Sequence, residues 1–229
     1  MNTTTLSPMQ HKAERIRAQL LAHYGHPDWR PDFAPVDELI LTILSANTSD
    51  VNSGRAFQQL KATYADWHEV LAAPLPELVT VIRPAGLAPS KAPRLQAALR
   101  RILQEQGDFT LDFLAAWPVD EALAWLTQLE GVGHKTASIV LLFCFGKAAF
   151  PVDTHVQRVT QRLGLAGPHD HPAKIKTLWE SLVPATWFYD LHLNLIRHGR
   201  TLCRARTPLC TACPLQADCR YYSDQFLPA

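Results

Sequence analysis

Four cysteines near the carboxyl end of the chain have the spacing of a metal site. Cys203, Cys210, Cys213 and Cys219 follow a C-x6-C-x2-C-x5-C pattern within 17 residues. Short loops between ligands limit the entropy lost on closing such a site, and four thiolates suit either a structural zinc ion or a [4Fe–4S] cluster. The spacing alone does not choose between the two. Cys144, by contrast, lies in an apolar run and is predicted to be a buried core residue.

A glycine-containing turn and a lysine open an apolar helix in the middle of the chain. In the segment Gly131-Val132-Gly133-His134-Lys135, two glycines around an apolar residue permit a tight turn. The amides of such a turn, beside a helix N-terminus, favour an anion such as a DNA phosphate, although glycine turns between helices are also common scaffolding. Lys135 precedes ten uncharged residues. Desolvation and the helix N-terminus are therefore expected to favour its neutral, nucleophilic amine, and a surface lysine that contacts phosphate is the alternative.

Asp153 is the only acid between Glu130 and Asp170, and it opens a further helical pattern. Aspartate is a favoured N-cap, which gives this residue a structural explanation. An isolated carboxylate near Lys135 would also assist proton transfer or stabilise a developing sugar cation. The two roles are compatible, because capping would orient the carboxylate for chemistry.

The elements that must position these residues are predicted to be helices. Apolar residues recur at three- and four-residue steps along most of the chain, as in Leu95, Leu99 and Ile102, and no alternating strand of useful length is present. The pattern predicts an all-α fold of about ten short helices. Breaks are expected at the turn-rich segments 26–35, 84–93 and 164–172.

The charge of the chain is unevenly distributed. The 229 residues carry a net charge of +1, which by itself argues against a nucleic-acid-binding protein. Residues 78–104, 131–169 and 191–217, however, carry +12 together, against −11 on the rest. These stretches are either ordinary solvated helix faces or one basic side of the molecule. The sequence contains no secretory leader pattern and no membrane-spanning run, so we expect a reducing cytoplasmic location and no membrane association.

Three motifs in order, L-E-G-V-G-H-K-T-A, V-D-T-H and H-G-R-x-x-C with the cysteine spacing, resemble endonuclease III, a DNA glycosylase family of the helix-hairpin-helix superfamily. The resemblance extends from about Glu14 to Cys219. It implies that Lys135 is the nucleophile, that Asp153 is the catalytic aspartate and that the four cysteines bind a [4Fe–4S] cluster. It further implies a six-helix barrel domain over 28–147 that contains the helix-hairpin-helix. A discontinuous four-helix iron–sulfur cluster domain would comprise 1–27 and 148–229, with a DNA groove between the two domains.

The family also fills the gap left by an extruded base with side chains from two loops, which correspond here to 43–50 and 86–91. The residues implied to bind DNA are Asn47, Leu87, Lys91, Gly131, Val132, Gly133, His134, His155, Arg204 and Arg206. Ile43 stands where the adenine-removing branch has glutamate, which argues against that branch. Asn47 stands where well-known members have glutamine, and His134 replaces a usual arginine. Thr207 and Leu209 replace common basic residues. Because these replacements remove positive charge, we expect weaker DNA binding than in a typical member.

The resemblance implies a bifunctional DNA glycosylase/AP lyase that removes oxidised pyrimidines from duplex DNA in base excision repair. The lesion or an abasic site would react through a lysine Schiff base and β-elimination. We expect a monomer that acts on nucleoid DNA in the cytoplasm. The alternatives are a mismatch-specific thymine or uracil glycosylase on the same scaffold, a non-catalytic DNA-binding helix-hairpin-helix protein, and a zinc-binding structural protein.

Overall fold

The computed structural model describes residues 6–227, and within that range all regular secondary structure is helical, which confirms the predicted all-α class. The α-helices are α1 (Pro8–Tyr24), α2 (Pro35–Ser45), α3 (Asp50–Thr63), α4 (Trp67–Ala72), α5 (Leu75–Val81), α6 (Ala88–Gln106), α7 (Val119–Leu126), α8 (His134–Phe145), α9 (Thr154–Leu163), α10 (Pro172–Leu182), α11 (Phe188–Thr201) and α12 (Arg220–Phe226). Short 3₁₀ helices lie at Arg83–Ala85, Asp112–Ala115, Ala185–Trp187, Cys210–Ala212 and Gln216–Asp218. Among the described helices, none has both the length and the apolar character needed to cross a membrane.

The chain divides into two compact units. The central unit runs from Arg30 to Lys147, and the terminal unit combines the chain up to Trp29 with the chain from Ala148 onward. Residues 1–5 and 228–229, which the predicted cluster domain includes, lie outside the described residues. The central unit therefore contains α2 to α8, and the terminal unit contains α1 and α9 to α12.

In the terminal unit, the core forms where α11 packs against α9 and α1. Trp179 is fully buried, and its indole Nε1 donates a hydrogen bond of 2.9 Å to Oγ1 of Thr160 on α9. The amino-terminal helix is fixed by charge as well as by packing, because Nε of Arg17 donates to Oδ1 of the buried Asp190 at 2.9 Å. A partner of opposite charge offsets the cost of burying that carboxylate.

In the central unit, α2 packs against α3, α6 and α8. The apolar run of α8 explains its place, since Val140 and Leu141 on it are fully buried. Cys144, predicted to be a core residue, is half-buried there, and burial raises the pKa of its thiol to about 12.

The predicted break over 84–93 is wrong in its second half. Helix α6 begins at Ala88 and continues through Pro93. Pro93 lies in the second turn, where the only intrahelical bond that its missing N–H removes is one to residue 89. The helix is therefore perturbed near its start and its length is preserved.

Candidate active site

Lys135 is the second residue of α8 and is exposed. Gly133 is the N-cap and no side chain caps the helix, so the amides of Gly133 and His134 have no acceptor among the described residues. The structure contradicts the predicted desolvation of Lys135, because the apolar residues that follow it point to other faces of α8. The amine of Lys135 lies in the first turn of α8, beside the amides of the helix N-terminus that lack an acceptor among the described residues.

The turn before α8 is held by one buried side chain and one left-handed glycine. Gly131 has a φ of +82°, a conformation that L side chains rarely adopt. Val132 is 5% exposed, and its amide donates to the carbonyl of Leu129 at 3.0 Å. Its predicted DNA contact is therefore corrected, because both its side chain and its amide are used to close the turn. The amides of Gly131, Gly133 and His134 make no hydrogen bond within the described residues and stay available to an anion.

An arginine that the sequence analysis did not single out packs against this turn. A Cβ added at Gly131 would lie 2.8 Å from Cδ of Arg94 and 3.3 Å from its Cβ, so the stem of Arg94 occupies the space that the glycine leaves. Arg94 is exposed, and no hydrogen bond or ion pair links its guanidinium to another described residue. The only sequence signal for it is its place in an acid-poor stretch, because 37 residues separate it from Gly131.

Asp153 caps α9, as predicted. Its Oδ1 accepts hydrogen bonds from the amides of His155 and Val156, at 2.9 and 2.8 Å. Neither bond uses Oδ2, and no other described residue bonds to it. The carboxylate is half-buried and fixed in orientation with one oxygen available for chemistry. Asp153 belongs to the terminal unit, whereas Lys135 belongs to the central unit.

The half-buried His155 takes part in a network that links α9 to the cysteine segment. Nη2 of Arg158 lies 3.1 Å from Nδ1 of His155 and donates to the carbonyl of Gly199 at 2.7 Å. Nε of Arg158 donates to the carbonyl of Cys203 at 3.0 Å. Burial lowers the pKa of His155, which favours its neutral form. The same helix that presents Asp153 is thus bonded to the first cysteine of the motif.

The two loops that resemble the family's wedge loops each present an exposed residue in a left-handed conformation. Asn47 has a φ of 54° and Leu87 a φ of 51°. Leu87 is 59% exposed, which is unusual for so large an apolar side chain. Their exposure is compatible with the predicted contacts to DNA.

Lys91 does not fit its predicted DNA contact. Its side chain is 3% exposed, and Nζ donates to the carbonyls of Leu44 and Ala85, both at 2.7 Å. An ammonium held in this way cannot reach a phosphate without breaking both bonds. A lysine in an acid-poor stretch resembles a surface cation, and only the folded helix shows that this side chain points inward.

Arg204 and Arg206, the two predicted cations of the cysteine loop, are exposed. Nε of Arg204 donates to the carbonyl of Thr201 at 2.9 Å, which orients that side chain. Arg162 supports the loop from α9: its Nη1 donates to the carbonyl of Arg204 at 2.7 Å, and its Nη2 to the carbonyl of Ala205 at 2.9 Å. The loop therefore holds its exposed cations on a backbone that α9 fixes.

The four motif cysteines line one cavity and form no disulfide. Within residues 6–227, no three His, Cys, Asp or Glu side chains lie close enough together to hold a single metal ion. N–H groups already point at the sulfurs. Nη1 of Arg162 lies 3.4 Å from Sγ of Cys203, and the amide of Leu215 lies 3.4 Å from Sγ of Cys213.

Burial makes this cavity unfavourable for free thiolates. It raises the pKa of Cys213 to about 11 and raises the pKa of Cys210 and Cys219 above the ordinary value. The buried His198, whose Nε2 lies 3.6 Å from Sγ of Cys213, has its pKa lowered to about 4 by burial. Soft donors, N–H groups aimed at sulfur and a surrounding that disfavours uncompensated thiolates fit a bound iron–sulfur group.

The sequence of this chain was compared with those of known protein families and characterised proteins. Residues 40–185 match the family described as HhH-GPD superfamily base excision DNA repair protein. The chain is 34% identical over 188 residues to endonuclease III of Sulfolobus acidocaldarius, covering 81% of this chain and 82% of that protein. It is also 34% identical over 187 residues to endonuclease III of Bacillus subtilis, covering 81% of each.

Solved structures agree with these relatives. The structure of a trapped endonuclease III–DNA covalent intermediate superposes with a TM-score of 0.82 at 29% identity, covering 96% of this chain and 99% of that one. A thermostable thymine-DNA glycosylase superposes with a TM-score of 0.76 at 24% identity, covering 95% of this chain and 100% of that one, which shows a shared fold. On this evidence, and in agreement with its motifs, the chain belongs to the HhH-GPD superfamily of base excision DNA repair proteins and, within it, to the endonuclease III family.

Proposed function

We propose that this chain is a bifunctional DNA glycosylase and AP lyase that acts in base excision repair on duplex DNA with an oxidised pyrimidine or an abasic site. It acts as a monomer on nucleoid DNA in the cytoplasm. The observation that carries the proposal is the exposed amine of Lys135 in the first turn of α8, beside a turn whose amides are available to a phosphate. A trapped covalent intermediate with DNA is described for a related endonuclease III structure, and a lysine amine provides such chemistry.

The chemistry assigns one role to each functional group. The neutral amine of Lys135 attacks C1′ of the extruded nucleotide, the bond between C1′ and the base breaks, and the base leaves. Opening of the sugar ring then gives a Schiff base between Nζ and C1′. Loss of a proton from C2′ expels the 3′ phosphate by β-elimination and cuts the strand. Asp153 stabilises the cationic sugar and accepts or returns protons through Oδ2, because Oδ1 is occupied by the cap.

Phosphate binding is assigned to backbone amides and exposed cations. The amides of Gly133 and His134 receive a phosphate at the N-terminus of α8, and Arg94 adds a guanidinium beside the turn. Arg204 and Arg206 bind phosphate from the cysteine loop. These contacts fix the position of the enzyme on DNA and carry no base information.

The four cysteines are proposed to hold a [4Fe–4S] cluster, which stabilises the loop that carries Arg204 and Arg206. The N–H groups directed at Sγ of Cys203 and Cys213 support this assignment, because such bonds stabilise the sulfurs of an iron–sulfur cluster. The central unit would then be the barrel domain and the terminal unit the cluster domain. A brown protein that contains iron and absorbs near ~400 nm is expected, and Cys213→Ser should lose both features. A colourless protein that contains zinc would contradict the assignment.

The test of the catalytic proposal is covalent trapping. Borohydride should reduce the Schiff base and leave wild type linked to a duplex with an abasic site, whereas Lys135→Ala should give no adduct. Lys174→Ala is the control, because Lys174 is an exposed lysine of the terminal unit whose Nζ pairs with Oδ1 of Asp170 at 2.8 Å. Adduct formation by Lys135→Ala would remove that residue from the role.

A panel of duplexes distinguishes the substrates. Each duplex carries one oxidised pyrimidine, uracil, or a T·G mismatch, and release of the base is measured separately from strand cutting. Oxidised pyrimidines should be released fastest. Preference for T·G or uracil would identify a mismatch glycosylase instead, and inactivity on every duplex would leave a DNA-binding protein.

A further inference from the structure

Asn47 and Leu87 share a conformation that requires support. They are the only non-glycine residues with a positive φ within the described part of the chain. Leu87 is also the N-cap of α6 and has no side chain with which to cap it. Such conformations persist only where the surroundings hold them in place. The structure around Asn47 and Leu87 that could hold them is the chain at the ends of the two loops, 43–50 and 86–91.

Lys91 provides a direct connection between those ends. Leu44 lies in the last turn of α2, immediately before the loop that contains Asn47, and Ala85 ends the 3₁₀ helix immediately before Gly86 and Leu87. One Nζ donates to both carbonyls at 2.7 Å. Carbonyls at helix ends lack helical partners and carry partial negative charge, so an ammonium satisfies both.

Burying the ammonium of Lys91 between the two loops costs free energy of desolvation. It is 3% exposed, and no carboxylate among the described residues pairs with it. Burial accordingly lowers the pKa of Lys91 below its ordinary value. Buried cations without an acidic partner are rare, and an apolar residue of similar length would pack at this position without that cost. The two bonds are what distinguishes lysine from such a residue.

We infer that Lys91 is a positioning residue that joins the two loops, so that Asn47 and Leu87 enter the DNA as one rigid pair when a base is extruded. The inference rests on the proposed function, in which these side chains fill the gap in the duplex. We call the two hydrogen bonds from Nζ of Lys91 the bridge. Without the bridge, each loop would enter the duplex independently, and the base pairs would stack again more often before a base is released. Lys91 itself touches neither the DNA nor the reacting atoms.

The first experiment compares Lys91→Met with Lys147→Met. Lys147 is a matched control, because it is a half-buried lysine of the same unit whose Nζ donates to the carbonyl of Trp117 at 2.7 Å. In single-turnover assays, Lys91→Met should release an oxidised pyrimidine from a duplex on the order of 100-fold more slowly, since small displacements of positioning groups have effects of that size. Its borohydride adduct with a single-stranded abasic oligonucleotide, which needs no base extrusion, should form at the wild-type rate. Equal losses on both substrates, or a duplex rate like that of Lys147→Met, would overturn the inference.

The second experiment tests whether Lys91 acts through Leu87. Leu87→Ala, Lys91→Met and the double variant are compared on the same duplex. If the bridge serves insertion of Leu87, the double variant should be slowed hardly more than Leu87→Ala alone. Losses that multiply would show that Lys91 acts elsewhere.

A binding measurement separates failure of this inference from failure of the proposed function. A duplex with a tetrahydrofuran abasic analogue and 2-aminopurine on the opposite strand reports unstacking by fluorescence without any catalysis. Wild type should raise the fluorescence and Lys91→Met should not, even if no base is ever released. If Lys91→Met does not fold, Lys91→Arg, which keeps N–H donors in another geometry, replaces it. Full unstacking by a folded variant at this position would contradict the bridge.

Discussion

Asp153 combines a structural and a proposed catalytic role in a single carboxylate. One oxygen accepts both amide bonds of the cap, and the other makes no hydrogen bond within the described residues. The two roles can be separated by substitution, because asparagine keeps an acceptor oxygen and loses the charge.

Asp153→Asn should keep its stability to within about 0.5 kcal/mol, because asparagine is as good an N-cap as aspartate. Its rate of base release should fall by about 100-fold or more. Asp153→Ala should lose the same rate and, in addition, about 1 kcal/mol of stability. Urea unfolding and single-turnover release measure the two effects. Asp66→Ala, which removes a side-chain cap from α4, is the control. It should lose similar stability and retain its rate; an active Asp153→Asn would restrict Asp153 to capping.

The residues with distinctive chemistry could be predicted from sequence, and the residues whose environment decides their role could not. The spacing of the cysteines and the cap at Asp153 depend on local chain geometry. The burial of Lys91 and the use of Val132 to close the turn depend on tertiary packing. Neither the basic side chain of Lys91 nor the glycines on both sides of Val132 indicate that packing in the sequence. Arg94 was missed for the same reason, because only the folded chain brings it to Gly131.

At the level of elements, the turn before α8 requires its two glycines for different reasons. Gly131 needs its positive φ, and its missing Cβ leaves room for Arg94. Gly133 has an ordinary φ of −94°, and an added Cβ would meet nothing within 4 Å. Gly131 is therefore required by the backbone conformation and packing of the turn. The open space at Gly133 matters only for a ligand, such as a DNA phosphate, that approaches its amide.

Gly131→Ala should lose about 1–2 kcal/mol of stability because of its backbone conformation and the displaced Arg94 stem. Gly133→Ala should lose less stability, about 0.5 kcal/mol, because alanine is a poorer N-cap than glycine. It should also bind abasic duplex more weakly, because its methyl group would obstruct the amides proposed to face the phosphate. Thermal unfolding and fluorescence anisotropy distinguish the two variants. Unchanged DNA affinity in Gly133→Ala would argue against the turn as a phosphate site.

Helix α6 carries Leu87 at its N-cap, Lys91 in its first turns and Arg94 beside the turn of α8. Arg94→Met, which keeps the packed stem and removes the charge, should reduce the slope of log affinity against log salt by about 0.9, the value for one phosphate contact. Arg100→Met, an exposed arginine farther along the same helix, should leave the slope unchanged. Equal slopes in the two variants would show that Arg94 does not contact phosphate.

At the level of the whole molecule, the predicted helical class and family are confirmed, whereas only part of the charge in the basic stretches is free to meet DNA. The acid-poor stretches contain two kinds of cation. Seven of them donate to main-chain carbonyls, namely Lys91, Arg101, Lys147, Arg158, Arg162, Arg197 and Arg204. Others, such as Arg94 and Arg206, are exposed. Composition counts both kinds equally, and so it overstates the charge that is available to DNA.

The affinity for duplex DNA should accordingly depend only moderately on salt, with a slope that corresponds to a few phosphate contacts. The unfolding midpoint should change little over the same salt range, because cations bonded to carbonyls are only weakly screened. Anisotropy and thermal unfolding, measured in the same buffers, test both statements. A slope near −10, as for a protein with many phosphate contacts, would contradict the expected weak binding.

The bonds from basic side chains to main-chain carbonyls have a consequence for how such a chain can change over generations. Most of the cations that bond to main-chain carbonyls are buried or half-buried, and they are different residues from exposed cations such as Arg94 and Arg206. Exposed positions such as His134, Thr207 and Leu209 can therefore gain or lose charge, and so retune the time spent on DNA, while the inherited architecture stays intact. Affinity for the genome and the ability to fold become independently selectable traits.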